Sequence, residues 1–224
     1  MNTICRIALL GSMTALLSAC ATMGLDKKAT QVDWSKGSVV VTSVDLKNEY
    51  KPNYSPTWLA IGIEKAKGEA STGGGTAWET VANGQTSAIL TQQLLPGKYS
   101  IKSLQGRAGQ FPVIGSMSFS VDAPFEVPPK SVIYLGHIAL TNKEKLNRDD
   151  QASGAALPLI DQAVTGFGNG TLQVTLKDRY EQDVAALKND YPALRDMPVI
   201  RAPLALMELD RSSGSSAPKV IVKP

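Results

Sequence analysis

Ser116-Met117-Ser118-Phe119-Ser120-Val121-Asp122 is the stretch that decides the fold. Apolar and polar residues alternate in it without a break, and successive side chains of a strand point to opposite faces. The segment therefore reads as a half-buried strand that turns Met117, Phe119 and Val121 toward a core.

Similar signals lie on both sides. Residues 132–140 (VIYLGHIAL) are apolar in both phases, which predicts a central strand covered on both faces. Residues 58–64 alternate, with Leu59, Ile61 and Ile63 on one face, and residues 39–46 are rich in Val and Thr. Residues 85–92, the run opening at Tyr99 and Ile101, and the alternation of Leu172, Val174 and Leu176 read as further strands. Loops fall at 47–56 (KNEYKPNYSP) and at Gly73-Gly74-Gly75, which reads as a loop or hairpin tip. Pro96-Gly97 suits a type II turn, because proline presets the first central φ and glycine accepts a positive second one.

One helix is expected near 178–190. Asp178 is a good N-cap and Glu181 follows three residues later, as in a capping box. Tyr180, Val184 and Leu187 fall on one apolar face, and Pro192 ends the pattern. The stretch 142–169 reads as an irregular excursion. Short strands separated by Pro/Gly turns, with one late helix, predict a mainly β chain folded as an antiparallel β-sandwich.

The chain has 224 residues, with 23 Lys+Arg against 20 Asp+Glu and a hydrophobic fraction of 43%. That hydrophobic content suits a folded domain. The charge balance is too even to imply a nucleic-acid or polybasic membrane partner. The two cysteines are Cys5 and Cys20, and the one histidine is His137. Such counts argue against a Cys/His zinc site, and no metal or cofactor is expected.

Residues 1–20 read MNTICRIALLGSMTALLSAC. Arg6 supplies a positive n-region, and 7–17 form an apolar h-region too short to span a bilayer. The segment closes on Leu17-Ser18-Ala19-Cys20. This order resembles the lipobox of bacterial lipoproteins: a branched apolar residue, two small ones that let a signal peptidase reach the backbone, then cysteine. The resemblance implies removal of a signal peptide, 1–19, and lipid on the Cys20 thiol and amine. Two or more chains would anchor the protein stably. Ala21 follows the cysteine where an aspartate commonly favours inner-membrane retention, so the periplasmic face of the outer membrane is expected. The expected organisation is a lipidated cysteine and flexible tether over 20–37, a sandwich domain over 38–205 that includes the helix, and a mobile Ser-rich tail over 206–224.

A second resemblance lies within the domain. Leu95-Pro96-Gly97-Lys98-Tyr99, Phe125-Glu126-Val127 and Val132-Ile133-Tyr134-Leu135-Gly136 are similar to a phrase in bacterial lipoproteins with a transthyretin-like or carboxypeptidase-regulatory-like sandwich. It covers 95–136 and departs at Pro128-Pro129-Lys130, where such domains more often carry a glycine-containing turn. The likeness implies an accessory or binding role and brings no catalytic residue with it.

The remaining chemistry-bearing residues have plain readings. His137 lies inside an apolar strand with no nucleophile or carboxylate near it in sequence, and reads as a packed core histidine. Gly166-Phe167-Gly168-Asn169-Gly170 precedes a strand instead of following one, so it reads as a turn and not a nucleotide loop. Asp149-Asp150 reads as solvated surface, without the ligand spacing calcium needs. Among Trp34, Trp58 and Trp78, Trp58 stands in the phase opposite Leu59, Ile61 and Ile63, and it is either an exposed platform or covered by a second layer. Three functions remain open on these grounds. The first is a non-enzymatic, lipid-anchored module that binds or braces another envelope protein. The second is a carbohydrate- or peptidoglycan-binding module using Trp58 or Trp78. The last-ranked is a hydrolase working with carboxylates alone.

Overall fold

The computed structural model describes residues 24–54, 56–66, 74–80, 87–110, 112–147, 150, 152–154 and 160–204. The lipobox, with Leu17, Ser18, Ala19 and Cys20, and the C-terminal tail lie outside the described residues.

Two sheets form. Sheet A holds β4 (Ser87–Leu94), β1 (Ser38–Asn48), β7 (Val132–Glu144) and β8 (Gly170–Lys177) in that order, with β9 (Val199–Arg201) also paired to β7. Sheet B runs β3 (Gly74–Thr80), β2 (Pro56–Lys65), β5 (Gly97–Gln110), β6 (Val113–Val127). The architecture is the expected β-sandwich. Sheet A is mixed within it, because β1 and β9 both run parallel to β7. Among the described residues two α-helices are present, the short α1 (Ile160–Val164) inside the 142–169 excursion and α2 (Tyr180–Asp190).

The core forms where the inward phases of both sheets meet. Val40, Val44 and Leu46 of β1, Leu59 and Ile61 of β2, Leu104 of β5, Phe119 of β6 and Ile133 of β7 all belong to it. Within 116–122 of β6 the buried residues are Met117, Phe119 and Val121, while Ser116, Ser118 and Ser120 are exposed, so the deciding alternation holds residue by residue.

Sheet A is covered on its other face as well. Val39, Val41, Val132 and Tyr134 point away from sheet B and pack against Leu187 of α2, Tyr191 and Leu194. This second layer explains why 132–140 is apolar in both phases.

Part of that layer comes from the segment expected to be a free tether. Leu25 is buried, and Ala29, Val32 and Trp34 pack on the same cluster. The Leu25 amide donates to Thr91 Oγ1 at 3.1 Å, Gln93 donates to the Asp33 carbonyl at 3.1 Å, and the Ala193 amide donates to the Ala29 carbonyl at 3.2 Å. The tether reading is therefore corrected from Gly24 onward. Its apolar residues are too widely spaced to show periodicity, yet each finds a gap beside α2.

Three turns also differ from expectation. The Leu95-Pro96 link joins β4 of sheet A to β5 of sheet B, so it is an arch between sheets. Gly97 has φ +149°, far from the roughly +80° of a type II turn. Gly74 and Gly75 are not a hairpin tip; they open β3, opposite Glu64 and Ile63. Asp178 acts one residue earlier than expected. Arg179 is the N-cap without a side-chain cap bond, and Asp178 Oδ1 accepts from the Tyr180 amide at 3.2 Å.

Candidate functional site

His137 sits at the centre of a buried polar cluster between sheet A and α2. A bulge places it there. Gly136 adopts φ +105°, and the β1–β7 register slips between Val41 and Ser43. Ile133 and Leu135 face the sandwich core before the bulge, and Ile138 and Leu140 do so after it. The extra residue turns His137 to the opposite face, toward α2.

Ser43 and Asp45 on β1 share that face, and Asp183 reaches it from the helix. Ser43 Oγ lies 2.7 Å from His137 Nδ1 and also donates to Asp183 Oδ2. Tyr134 OH donates to the same Asp183 oxygen at 2.5 Å. His137 Nε2 lies 3.1 Å from Asp45 Oδ2, an ion-pair distance off the line of a well-aligned hydrogen bond. Arg179 closes the cluster, 3.5 Å from Asp45 and 3.6 Å from Asp183. With the Ser43 hydrogen directed at Asp183, His137 Nδ1 must donate to Ser43, and Nε2 faces a carboxylate. Arg179 lies beside both carboxylates, so the guanidinium and the imidazole ring together face Asp45 and Asp183.

Burial pushes the Asp45 carboxyl up, but the His137 ring, the Ser87 hydroxyl and the Arg179 guanidinium beside it outweigh burial and leave the carboxyl below its usual range. Burial first, and then Asp183, hold the Tyr134 phenol far above its ordinary value.

Ser43, His137 and Asp45 stand in the order of a nucleophile, a base and its orienting carboxylate. The arrangement cannot act as one in this state. Ser43 and His137 are fully buried, and the Ser43 hydrogen is committed to Asp183. Geometry makes the cluster a fastening between helix and sheet. Sequence reasoning placed His137 in the core and missed its partners. The available signal was Asp183 itself, three residues after Tyr180 and four before Leu187, on the helix's apolar stripe.

An open concave surface lies on sheet B. A groove of about 680 Å³ runs across the outer side of sheet B, where β2, β5 and β6 meet. Its size is that of a ligand-binding cleft. Lys65, Lys98 and Lys102 line it with Glu64, Asp122 and Glu126, and Phe125 forms an apolar patch stacked 5.9 Å from Tyr99. Asp122 accepts from Lys102 at 2.7 Å and from Ser100 at 2.5 Å, and these donors hold its carboxyl below the usual range.

The other singled-out residues are not drawn into either place. Trp58 is half-buried on β2, opposite Thr80 and Arg107 in register. Trp78 pairs with Ala60 in register, and its side chain lies outside the described residues. Trp34 packs on the layer over sheet A. Asp150 accepts from the Asn147 amide at 3.3 Å in a local turn, and Asp149 lies outside the described residues. Gly166-Phe167-Gly168-Asn169-Gly170 links α1 to β8, with Phe167 fully buried. Among the described residues no group of three His, Cys, Asp or Glu side chains could hold a metal ion, and no helix is long and apolar enough to cross a membrane.

Compared with known proteins, the chain matches no protein-family model, no curated protein and no solved structure.

Proposed function

We propose that this chain is a lipid-anchored envelope protein, fastened through Cys20, that binds another envelope component at the sheet B groove without performing catalysis. One observation carries the binding half of this reading. The side chains best suited to chemistry are sealed under α2, while the sheet B groove holds three lysines and three carboxylates, with Lys102 and Asp122 paired at 2.7 Å. Such a surface suits recognition of a charged or polar partner. The anchoring half rests on Leu17-Ser18-Ala19-Cys20, and with it comes placement at the periplasmic face of the outer membrane. The phrase at 95–136 supports a transthyretin-like type of sandwich. Its Tyr99 and Phe125 stack on each other, and Tyr99 OH donates back to the Leu95 carbonyl at 2.9 Å.

A photo-crosslinking side chain introduced at Glu126, in the groove, tests the proposal in living cells against the same group at Lys188 on α2. One envelope protein captured from Glu126 and not from Lys188, and lost with Cys20→Ala, is the expected result. Equal capture from both positions, or substrate turnover by the purified protein, overturns it. The glycan-binding reading keeps one supporting observation, the part-exposed Trp58. Unchanged retention of Trp58→Ala on cell-wall material removes it.

A further inference from the structure

We infer that the layer formed by residues 24–37 and α2 is the face turned to the lipid surface, which leaves the sheet B groove pointing away from the membrane. The inference rests on Cys20 being the lipidated residue.

Its basis is the length of chain between the anchor and the first residue fixed on the domain. Gly24 lies so close to β4 that an added Cβ would stand 3.3 Å from the Thr91 carbonyl oxygen. Leu25, next in the chain, is 8% exposed and hydrogen-bonded to Thr91. Cys20 is four residues before Gly24, so the link reaches about 14 Å at full extension. A lipidated cysteine sits at the headgroup boundary, so β4 and the layer beside it are held close to that boundary.

The fold then orders everything else by distance. β4 is an edge strand of sheet A, and the 24–37 layer covers the sheet's outer side together with α2. Sheet B lies behind sheet A, at the roughly 10 Å spacing of packed sheets. The groove is on the far side of sheet B. Both sheet layers therefore stand between the leash and the groove, and a link of this length keeps the attachment side, not the groove, nearest the boundary. The groove is presented to partners approaching from the aqueous side.

The lipidated full-length protein, reconstituted in vesicles of phosphatidylethanolamine and phosphatidylglycerol carrying a headgroup acceptor dye, tests this. Lys28→Cys and Glu126→Cys each introduce one labelling site for a donor dye, since Cys20 carries lipid and Cys5 leaves with the signal peptide. Energy transfer severalfold greater from position 28 than from 126 is expected. A Gly/Ser insertion of about 12 residues after Thr22, adding roughly 19 Å of reach, should shrink the difference. Equal transfer from both sites in vesicle-bound protein overturns the orientation. Protein that fails to float with vesicles overturns the lipid anchor instead.

Discussion

Asp183 on α2 accepts a 2.5 Å hydrogen bond from the hydroxyl of Tyr134 on β7, so the helix is held to the sheet by a buried charge as well as by apolar contact. The same carboxylate takes the Ser43 hydrogen and faces Arg179. Asp183→Ala leaves these groups without their acceptor, and breaking such a buried charge arrangement costs about 3–5 kcal/mol. Tyr134→Phe removes one charge-assisted bond and should cost about 1.5–3 kcal/mol. Urea unfolding curves check the order; a smaller loss for Asp183→Ala than for Tyr134→Phe would show that the cluster does not fasten the helix.

Acid should loosen the Asp45 side of this fastening and, separately, the Lys102–Asp122 pair of the groove. Asp45 and Asp122 both have carboxyls lowered from the ordinary value of 3.8. A group that binds its proton less readily folded than unfolded stabilises the fold fully above its unfolded value. That contribution fades as pH falls below about 3.8 and through the folded values. The urea midpoint should therefore drop in this range, with a shallower drop in Asp45→Asn. Identical acid profiles for the two proteins would remove Asp45 as a source.

The bulge at Gly136 offers a sharper test. A Cβ there would meet only the Lys177 carbonyl oxygen, at 3.7 Å, so space is not the obstacle. The obstacle is φ +105°, which L-residues rarely adopt. Gly136→Ala should cost about 1–3 kcal/mol from backbone strain. It should also disturb the His137 ring, whose side of the sheet depends on the bulge. An unshifted His137 imidazole NMR signal in a destabilised variant would break that link.

Lys130 is the one non-glycine with positive φ among the described residues, at +47°. The departure at Pro128-Pro129-Lys130 from the glycine-containing turn of the resembled domains is thus one of residue type, with the backbone still in a conformation glycine favours. Lys130→Val should cost about 1–3 kcal/mol, since a β-branched residue is poorly tolerated there. Lys130→Gly should be close to neutral. Equal thermal midpoints for the two variants would contradict this account.

How far the sequence could be read depended on where each signal was stored. Ser116–Asp122 declared itself because one face of β6 is wet and the other dry, which writes the alternation into consecutive residues. The segment 132–140 declared burial on both faces but not what covers the second, because Leu25, Ala29 and Leu187 come from distant segments. The polar cluster was hidden for the same reason: Ser43 is 94 residues from His137 and 140 from Asp183. The groove was not legible at all, since Lys65, Lys102 and Asp122 look like ordinary solvent-facing strand residues until three strands are laid side by side. Pro96-Gly97 misled because the dipeptide specifies a reversal and not whether the chain returns to the same sheet.

The parallel pairing of β1 with β7 has a kinetic consequence. The first strand of the domain gains its central neighbour only after almost a hundred further residues exist, and the helix that seals its outer face comes later still. Distant pairings of this kind must overcome loop closure before any contact rewards them, and chains built on them fold slowly. A chain synthesised N-terminus first would therefore leave one edge of Val39 to Val44 unpaired until β7 arrives, the other edge being taken earlier by β4. During that interval the open edge of β1 is a template for pairing with another chain, so the molecule is most vulnerable to aggregation then.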